Sequence, residues 1–246
     1  MRPGTALLAI VVCLGGCSKF QGLSNPRVVH AMALHVPEPD AVTLPPDIVY
    51  DGVGTWVTAQ LIDADGTLAV GIQIPIEAAD VFLVDHTGED YAALPLGGGL
   101  FEVGPPLEHL EYVSGEEWQL DVLFEEDVPP GHLTLELPPP APVNIPENVP
   151  VGQPLFGEVD GPGFATFLGF VYGIGGGLTW FGVPDFEELT VEDLDRIEVP
   201  GRSFPTAGTY VVGIAPMRVE RQVDSLNTKL SAAITGAISY HTVTAN

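Results

Sequence analysis

Apolar residues in this chain fall in short runs set apart by glycine, proline and acidic residues, and several runs alternate apolar with polar positions. In Trp118-Gln119-Leu120-Asp121-Val122-Leu123-Phe124 every second side chain is apolar, the period of a strand with one face on a core. Short stretches rich in Val, Phe, Leu, Thr and Tyr between glycines and prolines predict strands over 28–36, 55–62, 81–85, 91–96, 118–124 and 132–137 in the first half of the chain. Asp63-Ala64-Asp65-Gly66 is a turn candidate. In the second half, strands are predicted over 153–159, 164–172, 178–181, 197–199, 209–214 and 232–243. Thr190-Val191-Glu192-Asp193-Leu194 is the one helical turn expected, with Thr190 as N-cap and acids in its first turn.

Many short strands with frequent turn signals predict an all-β protein. Between the two groups of strands, Pro138-Pro139-Pro140-Ala141-Pro142 lacks backbone donors at its prolines and favours an extended polyproline form. The expected organisation is a first β-sandwich over 27–137, a stiff proline-rich linker over 138–150 and a second sandwich over 151–246.

The N-terminal residues follow a different pattern. Met1-Arg2 precedes an apolar run from Ala6 to Leu14, which is much shorter than the roughly 20 residues that span a bilayer as a helix. That combination is the pattern of a cleaved secretory signal. The tetrad Leu14-Gly15-Gly16-Cys17 resembles the lipobox of bacterial lipoproteins. The resemblance implies cleavage after residue 16, lipidation of Cys17 and a membrane-tethering segment over 17–26, and Ser18 resembles the outer-membrane sorting pattern. The implied address is the bacterial envelope, periplasmic or surface-exposed, with the membrane reached through lipid. Cys13 and Cys17 are the two cysteines, so a mature chain lipidated at Cys17 has no thiolate site and no disulfide.

Composition sharpens the picture in two ways. With 46% hydrophobic residues the chain can build packed cores in spite of its charge. The formal net charge is −25, from 33 acids against 8 Lys and Arg, and no lysine or arginine occurs from Val28 to Asp195. All the acids except Glu198, Glu220 and Asp224 lie in that stretch. Such a field repels phosphate backbones, so no nucleic-acid partner is expected. Clustered loop carboxylates would suit calcium, the one cofactor considered, and the candidate ligands are Asp85, Glu89, Asp90, Asp185, Glu187 and Glu188. Turn chemistry explains the same residues without a metal.

In the second half, Phe204-Pro205-Thr206-Ala207-Gly208-Thr209-Tyr210-Val211-Val212 resembles the strand E to strand F corner of immunoglobulin-like domains. The resemblance implies an immunoglobulin-like or fibronectin-like sandwich in which the Tyr210 hydroxyl bonds back to the corner backbone. It places Val212 where antibody domains carry a disulfide cysteine, with Trp180 as the core tryptophan. Ser114 to Leu120, with Trp118 in the aromatic place, looks like β-sandwich modules related to carboxypeptidase-regulatory domains. The expected architecture is therefore two consecutive immunoglobulin-like or fibronectin-like sandwiches after a cleaved signal.

Catalytic motifs are missing. The chain has no Gly-x-Ser-x-Gly and no His-Glu-x-x-His. His109 and Glu111 would share a strand face, and Gly97-Gly98-Gly99 and Gly173-Ile174-Gly175-Gly176-Gly177 read as hairpin loops. The expectation is a non-enzymatic envelope protein that binds another envelope protein or a glycan. Two alternatives stay open: a surface carbohydrate-active hydrolase using paired carboxylates, and a calcium-dependent adhesin.

Overall fold

The computed structural model describes residues 26–38, 53–65, 73–105, 107–124, 128–186, 189 and 193–246. The expected signal, Cys17, most of the expected tether and the calcium candidates Glu187 and Glu188 lie outside these residues. The strands of the first half are β1 (Arg27–Val36), β2 (Gly54–Asp63), β3 (Ile74–Pro75), β4 (Ala79–Val84), β5 (Asp90–Ala92), β6 (Leu94–Gly97), β7 (Leu100–Val103), β8 (Glu117–Phe124) and β9 (Gly131–Glu136). Then follow β10 (Val143–Asn144), β11 (Asn148–Val149), β12 (Leu155–Val159), β13 (Thr166–Gly173), β14 (Gly177–Gly182) and β15 (Arg196–Val199). The last strands are β16 (Gly208–Glu220), β17 (Val223–Asp224), β18 (Ala232–Ala237) and β19 (Ser239–Ala245), and a 3₁₀ turn covers Gly201–Ser203. The protein is all-β, and no helix among the described residues is long and apolar enough to cross a membrane.

Three sheets make two sandwiches. One sheet of eleven strands runs through both, in the order β11-β19-β16-β18-β1-β2-β7-β6, with β13 and β14 beside β16 and β3 beside β2. Across the first core it packs against a sheet ordered β17-β9-β8-β4-β5, and across the second against β10-β12-β15. Trp118, Leu120 and Val122 point into the first core with Leu133, Leu135 and Leu137, as the alternation in that segment predicts.

The proline run was expected to separate the sandwiches, but strand pairing crosses it. β1 lies parallel to β18, with His30 opposite Ala232 and His35 opposite Ala237, and β17 pairs with β9. Within 138–150, β10 and β11 pair with β12 and β19, so part of the linker is built into the second sandwich. Strand β1 is accordingly buried on both faces: Val29, Ala31 and Ala33 enter the first core, while Met32, Leu34 and Val36 enter a further cluster on the opposite face of the large sheet. A near-continuous apolar run such as Val28 to Leu34 suits a strand covered on both sides.

The predicted strand over 232–243 is broken at Ile238. β18 and β19 keep one register against β16, but Pro216, which offers no backbone donor, stands at the break, and the Ile238 N–H instead reaches the His35 carbonyl at 2.9 Å. The predicted strand over 91–96 also divides, because β5 pairs with β4 in one sheet and β6 pairs with β7 in the other. No strand forms around His109 and Glu111; the two exposed side chains flank buried Leu110 in an irregular segment opened by Gly104 and Pro105. The predicted helical turn lies partly outside the described residues, and its last two positions are irregular: the Leu194 N–H donates to the Phe164 carbonyl at 2.6 Å and Asp193 accepts from the Gly163 N–H at 2.9 Å.

Candidate interaction surface

Gly173-Ile174-Gly175-Gly176-Gly177 forms the hairpin loop between β13 and β14, with Gly175 at φ 83° and Gly177 at φ 89°, where a side chain would be strained. The hairpin packs on β16 through β13, which pairs from Thr166 opposite Met217 to Gly173 opposite Tyr210. β14 pairs with β13 and forms an edge of the large sheet.

Each strand of the hairpin divides its side chains between two faces. Facing the second core, Trp180 stands opposite Val171, and its ring covers the Gly169 and Gly182 pair. A Cβ on Gly182 would lie 2.3 Å from that ring, so the glycines are what let the indole lie flat on the sheet. On the other face, Phe170 is opposite Phe181 and Tyr172 is opposite Leu178. The Phe170 ring lies over Gly213 and meets Tyr240 edge-on at 6.2 Å. This face begins as the buried cluster around Met217 and Ile234 and opens toward the hairpin, where Leu178 is 49% and Phe181 44% exposed. Ile174 and Val183 extend the apolar surface at either end of β14.

Beside Trp180, a cleft of about 370 Å³ lies between the start of β13 and the segment after β14, lined among others by Thr166, Phe167, Val183, Asp185 and Leu189. Contacts from other elements help to hold this segment. The Phe186 ring stacks on His30 with centroids 4.7 Å apart, and the Arg221 guanidinium donates to the Leu189 carbonyl at 3.4 Å. The buried His30 ring bonds the Leu230 carbonyl at 3.0 Å, and burial pushes its pKa down to about 4, so it is neutral at pH 7.

The structure places the calcium candidates at two separate positions. Asp85, Glu89 and Asp90 belong to the β4–β5 hairpin, whereas Asp185 borders the Trp180 cleft. Asp85 is engaged by its own turn: its Oδ1 accepts from the Thr87 N–H at 2.8 Å, the Thr87 hydroxyl at 2.6 Å and the Glu89 N–H at 3.0 Å. Desolvation raises its carboxyl pKa, but these hydrogen bonds together outweigh that and hold it below the ordinary value. Among the described residues no group of three or more His, Cys, Asp or Glu is arranged to hold a metal ion.

The corner residues stand where the immunoglobulin-like resemblance implies. Tyr210 is buried, its hydroxyl donates to the Thr206 carbonyl at 2.8 Å, and Val212 and Trp180 pack in the same core. The sequence does not reveal the β14 edge, because alternation marks a strand but does not say which side of it stays unpaired.

No family model matches the chain, and no curated protein matches it. Similar solved structures include the FN1-FN3 domains of chicken CNTN1, at 12% identity and TM-score 0.23, over 77% of this chain and 61% of that one. A Dpr2 Ig1-Ig2 structure in complex with DIP-Theta Ig1-Ig3 is similar at 12% identity and TM-score 0.24, over 86% of this chain and 97% of the other. Salmonella alpha-2-macroglobulin is similar at 12% identity and TM-score 0.25, over 91% of this chain but 15% of its own length. Superpositions this loose assign neither a family nor a partner. The sandwich architecture stands on the strand pairing and the Tyr210 corner.

Proposed function

We propose that this chain is a non-enzymatic, lipid-anchored protein of the bacterial envelope, probing or assembling with partners through its joined β-sandwiches. The observation that carries the reading is the apolar surface of the β13–β14 hairpin, where Ile174, Leu178, Phe181 and Val183 are all more than 40% exposed. Large apolar side chains exposed together along one strand are a mark of a contact site. Anchoring is supported by the Leu14-Gly15-Gly16-Cys17 tetrad, which lies a short tether away from β1.

The test is a crosslinked pull-down from native envelopes with the full chain tagged after Asn246, run beside Cys17→Ala. A reproducible envelope partner that disappears with Cys17→Ala is expected. Recovery of nothing from either form removes the assembly role.

A glycan is the second candidate ligand, favoured by the cleft beside Trp180, since an indole at a cleft wall is suited to stacking on a sugar ring. Hydrolysis would need two facing carboxylates, and Asp185 is the one carboxylate among the described lining residues. Binding without turnover on a panel of envelope polysaccharides is the outcome that this geometry supports.

A further inference from the structure

We propose that β14 receives an extended, cation-flanked segment of a partner protein as an added antiparallel strand. The proposal rests on the binding role above and specifies its site and the chemistry of its ligand.

Alternate residues of an edge strand direct their N–H and C=O groups away from the sheet, and proteins ordinarily blunt such edges with charge, proline or brevity. Among the described residues several other edges are blunted. β6 contains Pro95, β5 is three residues long with Asp90 in it, β17 has two residues, and β15 exposes Arg196 and Glu198. β14 has six residues, Gly-Leu-Thr-Trp-Phe-Gly, with no charge and no proline. Among the described residues, no backbone hydrogen bond reaches β14 from the side away from β13.

Its one irregularity is pinned in place. The register shift falls opposite Thr179, whose hydroxyl is held against the Val171 carbonyl at 3.2 Å and the Ser203 carbonyl at 2.7 Å. Trp180, Phe181 and Gly182 continue beyond it in regular register with Val171, Phe170 and Gly169. An added strand would find Leu178 and Phe181 exposed on one face, ready for apolar cross-strand pairs.

Charge decides between occupants. A second copy would also carry −25 and be repelled, whereas a cationic segment would be drawn in. Of the chain's own cations near this sandwich, Arg196 sits 3.8 Å over the Phe156 ring, Arg218 pairs with Glu136 and Arg221 bonds carbonyls, while Arg202 in the 3₁₀ turn is exposed. Because β14 itself is uncharged, the partner's lysines or arginines belong on either side of the paired stretch, with β-branched or apolar residues within it.

The experiment measures anisotropy of a labelled Lys-Val-Thr-Val-Thr-Val-Lys peptide with the full chain. Two further peptides are run alongside, one with glutamate in place of both lysines and one N-methylated at alternate residues. Expected are saturable binding of the first, at least about tenfold weaker binding of the glutamate peptide, and loss of binding on N-methylation, which removes strand donors. Phe181→Lys, at an exposed position, weakens the lysine peptide at least about tenfold, while Leu96→Lys on β6 leaves it unchanged. No binding to the wild type, equal binding of the N-methylated peptide, or full binding by Phe181→Lys overturns strand addition. The two readings fail separately. An envelope partner captured equally by wild type and Phe181→Lys leaves the binding role standing and removes this site, whereas peptide binding without any captured partner removes the envelope role alone.

Discussion

The Tyr210 hydroxyl donates to the Thr206 carbonyl at 2.8 Å, closing the corner that leads from the 3₁₀ turn into β16. The same oxygen lies 3.2 Å from the Thr206 hydroxyl, and the Tyr210 ring meets Phe204 edge-on at 5.3 Å. A side chain near the start of the longest strand thereby fixes the loop that enters it. Tyr210→Phe keeps the ring and strands the carbonyl, so a loss of about 1 kcal/mol is expected, read as a lower denaturant midpoint at unchanged m-value.

Gly182 and Gly169 make the floor on which Trp180 lies. Gly182→Ala would drive a methyl into the indole, and a destabilisation of about 1–3 kcal/mol is expected, with a changed Trp180 environment in the near-ultraviolet circular dichroism. An unaltered melting temperature and spectrum would contradict the packing.

His30 makes the fold acid-sensitive. Burial, the largest influence, lowers its pKa from 6.5 to about 4; the Leu230 hydrogen bond and Asp185 act upward, and Arg221 acts downward. Between those values the unfolded chain binds a proton that the folded chain refuses, so stability is present above pH 6.5 and is lost as the pH falls toward 4. The limiting slope is about 1.4 kcal/mol per pH unit. Burial lowers His35 and His241 in the same sense, whereas the raised Glu102 and Glu220 carboxyls oppose it at the acid end. His30→Gln is expected to flatten the dependence of the urea midpoint on pH between 6.5 and 4.

Arg218 on β16 donates to Glu136 on β9 at 2.9 Å and so links the two layers of the first sandwich. Desolvation, then repulsion from Glu136 and Glu117, raises the Glu220 carboxyl against the pull of Arg218. A raised carboxylate is a cost that grows as pH climbs through its folded value. Arg218→Met adds to that cost, so it is expected to destabilise by about 1 kcal/mol at pH 7, after allowing for solvent screening of the partly exposed pair, and by less at pH 4. Thermal melts at the two pH values check this.

Calcium chloride and sodium chloride at equal ionic strength are expected to raise the melting temperature alike, since Asp85 already accepts three donors from its own turn. A calcium-specific gain of about 5 °C or more would restore the calcium-dependent adhesin.

Local pattern determined much of this protein. Alternation alone located β8 and β9, glycine clusters marked both hairpin loops, and the Gly208-Thr209-Tyr210 step marked the corner, because each depends on neighbours along the chain. The lipobox resemblance of Leu14-Gly15-Gly16-Cys17, and the lipidation it implies, rest on the sequence alone, since Cys17 lies outside the described residues. What tertiary structure decided was partnership. Parallel pairing of β1 with β18 brings together residues some 200 positions apart, the break at Ile238 depends on Pro216 across the sheet, and the division of 91–96 depends on two different neighbours. Hydrogen bonds and burial between distant segments carry no local period, so the joined sheet and the open edge of β14 emerge only when the chain is folded.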